Sequence, residues 1–304
     1  MRSTPRRPAA RFRAGLTVAL ATALLAACGG TGSTTEGSNS SSPSSTPAAD
    51  GSTTAPSTEA PSGEPLVVNM VGGVSTLDPA QVCNGFDVSF TGNFYTRLTQ
   101  YGLEEGPDGT QQANPADIQP WLAKSWEISE DGLTYTFALH EGAKFPSGQP
   151  MDAEAVKYSL DRVMTTNGCG NYYLQDGFFS PLLVEKVEAP DAATVVITLS
   201  HPDGGFLQAL AQAATGIVDK SVVDQHGGVV ADEVNEWMAG NLAGSGPFLL
   251  ESYAANSKAV LVANPDYFGP PPASEKILVN FVGDDSTLVL EAKSGAADVT
   301  LGLT

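Results

Sequence analysis

Histidine and cysteine are scarce in this chain of 304 residues, which contains three of each. His140, His201 and His226 share no spacing that would let them hold a metal ion together. The motif G-x-x-x-x-G-K-[ST] is absent, which argues against an ATPase. The hydrolase motif G-x-S-x-G is absent too, because Ala243 precedes Gly244-Ser245-Gly246. The sequence therefore predicts no enzyme activity, no metal site and no cofactor.

Basic residues are also few, with 15 Lys and Arg against 34 Asp and Glu. Five arginines and no acidic residue precede Cys28, so ten basic residues face 34 acidic ones in the rest of the chain. An acidic surface disfavours nucleic acid and anionic lipid headgroups as partners, because both carry negative charge. It does not by itself indicate a cationic ligand, since acidic surfaces also serve solubility.

No apolar run reaches the ~20 residues that a membrane-spanning helix needs. The run from Ala14 to Ala27 follows the five arginines and has the layout of a secretory signal. It ends in Leu25-Ala26-Ala27-Cys28, which matches the bacterial lipobox, in which the cysteine is lipidated and becomes the new N-terminus. We therefore expect residues 1–28 to be a lipoprotein signal peptide that leaves Cys28 anchored at the outer face of the cytoplasmic membrane. An ordinary cleavage site with a chance cysteine is the alternative.

Residues 29–63 consist mainly of Ser, Thr, Gly and Pro, with almost no large apolar side chains. Such a segment cannot bury enough surface to offset its chain entropy, so we expect a disordered tether. A flexible coil of this length has a reach of roughly 30 Å. The folded part of the chain is expected to begin after this tether.

Strand and helix patterns alternate from Leu66 onward. Leu66 to Met70 is typical of a buried strand, and Val88 to Tyr101 has helical spacing of its large apolar residues. Glu130-Asp131-Gly132 is a hairpin signal, and Asp152 is suited to cap a helix. Further strands are expected at 183–188, 194–199, 248–253, 258–263, 276–282 and 298–303, with helices at 206–213 and after Asp284 or Asp285. Hairpins mixed with helices predict an α/β fold with a mixed sheet.

Several short motifs occur in a fixed order along this region. They are Leu77-Asp78-Pro79, Pro120-Trp121-Leu122-Ala123-Lys124-Ser125-Trp126-Glu127, Asp131-Gly132-Leu133-Thr134-Tyr135-Thr136-Phe137, Gly142-Ala143-Lys144-Phe145, Ser147-Gly148-Gln149-Pro150, Ala155-Val156-Lys157-Tyr158-Ser159-Leu160-Asp161-Arg162, Gly244-Ser245-Gly246-Pro247-Phe248, Asn264-Pro265-Asp266-Tyr267-Phe268-Gly269 and Ser294-Gly295-Ala296-Ala297-Asp298-Val299. The ordered series resembles the family 5 extracellular solute-binding proteins, which include the oligopeptide-, dipeptide- and nickel-binding components of ABC importers.

The resemblance implies a two-lobed α/β receptor of the type II periplasmic-binding-protein class, with a mixed sheet. Residues 64–275 would form the N-terminal lobe, and residues 276–304 would cross the hinge and begin a second lobe. Because members continue through that second lobe, the chain is expected to supply mainly the N-terminal one. It would be a monomer that delivers a peptide or related solute to an ABC permease and its ATPase, and would touch the membrane only through its lipid. A nickel complex as ligand and a purely structural surface lipoprotein are the alternatives.

The resemblance also implies which residues touch the solute. In peptide-binding members the segment after the Leu-Asp-Pro turn lines the cleft, which assigns Cys83, Asn84, Gly85 and Phe86 to the site. A related aromatic lies near bound peptide at the position of Asn171-Tyr172-Tyr173, which adds Tyr172 and Tyr173. Aromatic rings offer contact area with little side-chain entropy to lose. The alternative for the two tyrosines is that they pack beneath a loop.

Cys83 and Cys169 are the only cysteines after Cys28; Cys83 lies in the first of these segments, and Cys169 lies three residues before Tyr172. An even pair in an oxidising compartment is typical of a disulfide. We therefore expect a Cys83–Cys169 bridge that holds the two segments of the site together. Two unpaired, buried thiols are the alternative.

Overall fold

The computed structural model describes residues 63–166, 168–175 and 182–302, without the side chain of Asp108. The predicted signal peptide, Cys28 and all of the predicted tether but Gly63 lie outside these residues. In chain order the elements are β1 (Leu66–Val71), α1 (Gly85–Thr91), β2 (Thr99–Glu105), β3 (Gln111–Pro120), β4 (Ala123–Ile128), β5 (Thr134–Leu139), α2 (Ala153–Thr166), β6 (Val184–Asp191), β7 (Thr194–Leu199), α3 (Phe206–Ala209), α4 (Lys220–Gln225), β8 (Phe248–Ala254), β9 (Lys258–Ala263), β10 (Lys276–Val282), α5 (Asp285–Ser294) and β11 (Val299–Leu301). Short 3-10 turns cover Pro79–Gln81, Pro107–Gly109, Cys169–Leu174 and Ala213–Thr215.

A five-stranded mixed sheet carries the site described below. Its order is β11-β1-β10-β9-β8, with β1 parallel to both β10 and β11. β10, β9 and β8 follow one another antiparallel, and Asn256 makes the turn between β8 and β9 with a φ of 57°. Asn tolerates this left-handed conformation better than most residues, because its short polar side chain can hydrogen-bond locally. The mixed α/β sheet predicted from the sequence is confirmed.

A second sheet, with four antiparallel strands, has the order β4-β5-β7-β6. Along β5, Tyr135, Phe137 and Leu139 are buried while the alternate residues are not, as the period of two predicts. Helix α2 packs on this sheet, and Asp152 accepts a hydrogen bond from the N–H of Ala155 at its start (3.1 Å). β2 and β3 form a separate two-stranded sheet. The four-stranded sheet has a hydrophobic core around α2, and the five-stranded sheet has another around α1 and β1.

The helix predicted from Val88 to Tyr101 is wrong beyond Thr91. Helix α1 ends there, and Phe94 and Tyr95 are buried in a turn and irregular chain that leads into β2. The backbone of this segment hydrogen-bonds instead to the Gly-Ser-Gly-Pro-Phe motif, with the Gly246 N–H donating to the Phe94 carbonyl (2.8 Å). A Cβ atom at Gly246 would lie 2.5 Å from the carbonyl oxygen of Asn93, so only glycine permits this approach. Long-range packing has therefore overridden the local helical spacing.

The predicted domain boundary between residues 275 and 276 is also wrong. β10 is the central strand of the five-stranded sheet, and β11 extends that sheet on the far side of β1. The Asp298 carboxylate accepts a hydrogen bond from the Val67 N–H (2.8 Å), which fixes the two ends of the described chain to each other. Residues 276–302 therefore complete the sheet that β1 begins. Helix α5, between β10 and β11, is capped by Asp284, as the sequence predicts, because the Asp284 side chain accepts from the Thr287 N–H.

None of the helices in the described ranges is both long and apolar enough to cross a membrane.

Candidate ligand-binding site

Phe86 lies at the carboxyl end of the parallel strands β1 and β11. A Cβ atom at Gly302, directly after β11, would be 2.8 Å from the Phe86 ring and 2.5 Å from Val71. The ring therefore rests on the backbone where these two strands end. Open α/β sheets usually place ligands at the carboxyl edge of their strands. The contact of Phe86 with a ligand, which the resemblance implies, stays a prediction.

Asn84 begins α1 and holds the segment in front of Phe86. Its Oδ1 accepts from the N–H groups of Phe86 and Asp87, both at 3.0 Å. Its amide in turn donates to the buried carboxylate of Asp87 (2.8 Å), which also accepts from the backbone and hydroxyl of Ser75. Asp87 therefore ties the loop after β1 to the start of α1. Sequence reasoning missed this residue, because nothing local distinguishes it from a solvated helix residue.

Cys83 and Cys169 form a disulfide in the structure, with their Cα atoms 5.2 Å apart. The backbones on either side are in close contact as well. A Cβ atom at Gly170 would lie 2.8 Å from the Ala80 carbonyl oxygen, so the glycine beside Cys169 is needed for this approach. The bridge thus joins the two segments that the sequence placed at the site, across 86 positions of chain.

The two tyrosines have different environments. Tyr172 is 44% exposed, whereas Tyr173 packs against a small buried cluster of Val82, Ala213 and Ala214. Their rings meet edge to face with centroids 5.7 Å apart. Tyr173 is therefore packed on this buried cluster, whereas Tyr172 exposes its ring to solvent. Two grooves of about 520 and 560 Å³ run along α2, but none of these predicted site residues lines either of them.

The aspartate of the Leu-Asp-Pro motif is a structural anchor. Asp78 forms a bidentate ion pair with Arg162 of α2, and both side chains are only 1% exposed. Asp78 also accepts from the Ala80 N–H (3.0 Å), which caps the turn that leads to Cys83. Burial, and then the negative charge of Asp78, raises the pKa of the neighbouring Tyr95 hydroxyl. Both residues belong to the ordered motifs, but their separation of 84 positions gives no local signal of the pairing.

No group of three or more His, Cys, Asp or Glu side chains in the described ranges is placed to hold a metal ion. His226 instead stacks on Trp237 with ring centroids 3.9 Å apart, and His140 lies beside Phe268 at 6.0 Å.

Residues 117–304 match the family model for bacterial extracellular solute-binding proteins, family 5, middle. The probable D,D-dipeptide-binding periplasmic protein of Escherichia coli K12 is 34% identical over 235 residues, which are 77% of this chain and 42% of that protein. The nickel-binding periplasmic protein of the same organism is 34% identical over 188 residues, covering 61% of this chain and 33% of that protein.

Among solved structures, the ABC transporter-associated periplasmic binding protein DppA of Helicobacter pylori, in complex with the peptide STSA, superposes with a TM-score of 0.62. It is 27% identical, and the match covers 79% of this chain and 46% of that protein. The chain thus spans less than half the length of each of these three relatives.

Proposed function

The chain belongs to the bacterial extracellular solute-binding proteins of family 5, and on that premise we propose that it is the substrate-binding component of an ABC importer that captures short peptides. Members of this family are substrate-binding transport proteins and not enzymes. The observation that carries the proposal is the edge at which the Cys83–Cys169 disulfide joins the segment of Phe86, which is partly buried, to the segment of Tyr172, which is 44% exposed. It lies in a fold whose Helicobacter pylori relative was solved with a peptide bound.

The chemistry of this edge suits a peptide. The rings of Phe86 and Tyr172 give apolar contact area, and the bridge and the Asn84 cap keep the chain around them fixed. A surface that is ordered before binding loses less entropy when the ligand arrives. In the proposed mechanism a second lobe closes over the peptide, and the permease and its ATPase respond to the closed state.

The wild-type natural gene product should bind the STSA peptide, and Phe86→Ala should weaken that binding about tenfold, since the loss of a buried aromatic contact costs ~1–2 kcal/mol. Titration calorimetry measures both affinities. Leu103→Ala is the matched control, because it removes an apolar side chain that is 67% exposed on β2. Its affinity should equal that of the wild type.

Two results would count against this proposal. Equal affinities of wild type and Phe86→Ala would remove Phe86 from the site. Binding of a nickel chelate by a wild-type protein that binds neither STSA nor dipeptides would favour the nickel relative's ligand class.

We also propose that the chain is a lipoprotein held at the outer face of the cytoplasmic membrane through Cys28, a residue outside the described ranges. Cys28→Ala should move the protein from the membrane fraction to the soluble fraction, or leave it with its signal peptide attached. Fractionation and intact mass measure the change. Ser33→Ala, a few residues along the tether, should stay in the membrane with its lipid. Unchanged mass and fractionation of Cys28→Ala would contradict the assignment.

A further inference from the structure

Of the ten basic residues after Cys28, five form ion pairs in the described part of the chain: Lys157, Arg162, Lys186, Lys220 and Lys276. Four lysines without an ion pair there, at 124, 144, 258 and 293, are exposed to water. Arg97 remains. It is partly buried, its Nε atom is sealed from solvent without a hydrogen-bond acceptor, and no carboxylate of the described residues pairs with it.

Arg97 differs from Arg162 in that it lacks a carboxylate partner among the described residues. Arg162, the other arginine in the described ranges, also has a buried Nε atom without an acceptor, but the buried Asp78 carboxylate neutralises its charge. A partly buried guanidinium without a counter-ion is costly, because it loses hydration and gains no pairing in return. The chain has 34 acidic residues from which a partner for Arg97 could have come. An acceptor from outside the described residues would supply the counter-ion that these residues do not provide.

Aromatic residues hold the Arg97 guanidinium in place. Its Cζ lies 4.4 Å from the centre of the Trp121 ring, a cation–π contact that fixes the plane of the guanidinium. The Trp121 indole N–H donates to the Tyr267 hydroxyl oxygen at 2.6 Å. Gly92, at the end of α1, leaves room beside Nη1, since a Cβ atom there would lie 3.4 Å from it.

Tyr267 adds a second unused donor. Its oxygen accepts from Trp121, and its own O–H has no acceptor in the described part of the chain. Burial raises the pKa of this hydroxyl, so it stays protonated and able to donate. Burial lowers the pKa of Arg97 to about 10, which still leaves the guanidinium charged at neutral pH. A cation and a neutral donor therefore both contact Trp121, and both side chains are partly exposed.

We propose that Arg97 and the Tyr267 hydroxyl form a binding site for a carboxylate group, the carboxylate of the captured solute. The planar guanidinium can pair with both oxygens of a carboxylate at once. One cation matches a singly charged group, whereas a phosphate would keep excess negative charge on an acidic chain. The two regions are adjacent, because a Cβ atom at Gly92 would lie 3.4 Å from Nη1 of Arg97 and 3.9 Å from Cβ of Ala213, against which Tyr173 packs. To this extent the assignment rests on the proposed solute-binding function.

The test uses N-acetylglycine as the carboxylate probe and N-acetylglycinamide as its neutral counterpart. In nitrogen-15-labelled natural protein, the Arg97 Nε–H resonance should shift saturably with N-acetylglycine and not with the amide. Arg97→Lys identifies the resonance and should weaken binding of the probe about tenfold, because the bidentate pairing is lost. Tyr267→Phe should weaken it less. The Arg162 resonance should not move, since its guanidinium is already paired with Asp78.

Lys124→Gln is the matched control, because it removes one exposed cation that lacks an ion pair, and it should leave probe binding unchanged. A shift that is equal with both probes, or no saturable shift, overturns the assignment. Stronger binding of inorganic phosphate than of N-acetylglycine overturns the carboxylate class. The titration does not require peptide binding, so its failure and a failure to bind STSA are separate results.

Discussion

Arg162→Met should lower the free energy of unfolding by about 3–5 kcal/mol, because it leaves the carboxylate of Asp78 buried without its partner. The same change loosens the contact between α2 and the turn that leads to Cys83. Denaturation in urea measures the loss as a lower midpoint at an unchanged slope. It is among the largest effects expected of a single substitution in this chain.

Lys157→Met is the matched control on the same helix. Lys157 pairs with Asp161, but both side chains are more than a third exposed, and an exposed pair of this spacing contributes at most about 1 kcal/mol. The double variant Asp78→Leu, Arg162→Met should recover much of the loss, because apolar side chains need no partner. A loss below about 1 kcal/mol for Arg162→Met alone would contradict the anchoring role.

Replacing both Cys83 and Cys169 by serine should lower the free energy of unfolding by about 4 kcal/mol, because the unfolded chain regains the entropy of a long loop. The bridge spans 86 positions, so the loop that it closes is large. Reductant added to the wild type should have the same effect on the unfolding midpoint. Thiol counting under denaturing conditions before and after reduction verifies the state of the two cysteines.

The double serine variant also separates stability from function. If the bridge fixes the surface that receives the peptide, affinity for STSA should fall at temperatures where the variant is still folded. Equal affinity of the folded variant and the wild type would limit the bridge to a stabilising role. Equal unfolding midpoints with and without reductant would contradict the stability prediction itself.

Local signals predicted most of the elements correctly. Asp152 and Asp284 cap the helices expected of them, and the alternation along β5 gave its buried face. These features depend on a few neighbouring residues and on the chemistry of a turn or a helix end. The resemblance to a family assigned Cys83 and Phe86 to the ligand site. Composition and spacing alone would not have predicted this.

What sequence reasoning missed depends on residues far apart in the chain. Asp78 and Arg162 are 84 positions apart, and each alone is typical of a capping or surface residue. Asn93 to Tyr95 follow directly after a helix. Gly246, about 150 positions later in the sequence, packs on their backbone and excludes a helical conformation. Arg97 was also missed, since its lack of a counter-ion shows only when the surrounding side chains are in place.

The pairing of β1 with β10 determines an order of events during synthesis. β4 to β7 and α2 lie in one continuous stretch, so their sheet can form as soon as that stretch is made. β1 is made early, but its neighbours β10 and β11 follow about 210 and 230 residues later. Contacts over such separations form slowly, because a long loop must close before any of them contributes. During that interval both edges of β1 lack their partner strands and can pair with other chains. A chaperone that holds Leu66–Val71 would protect the chain from aggregation at this step.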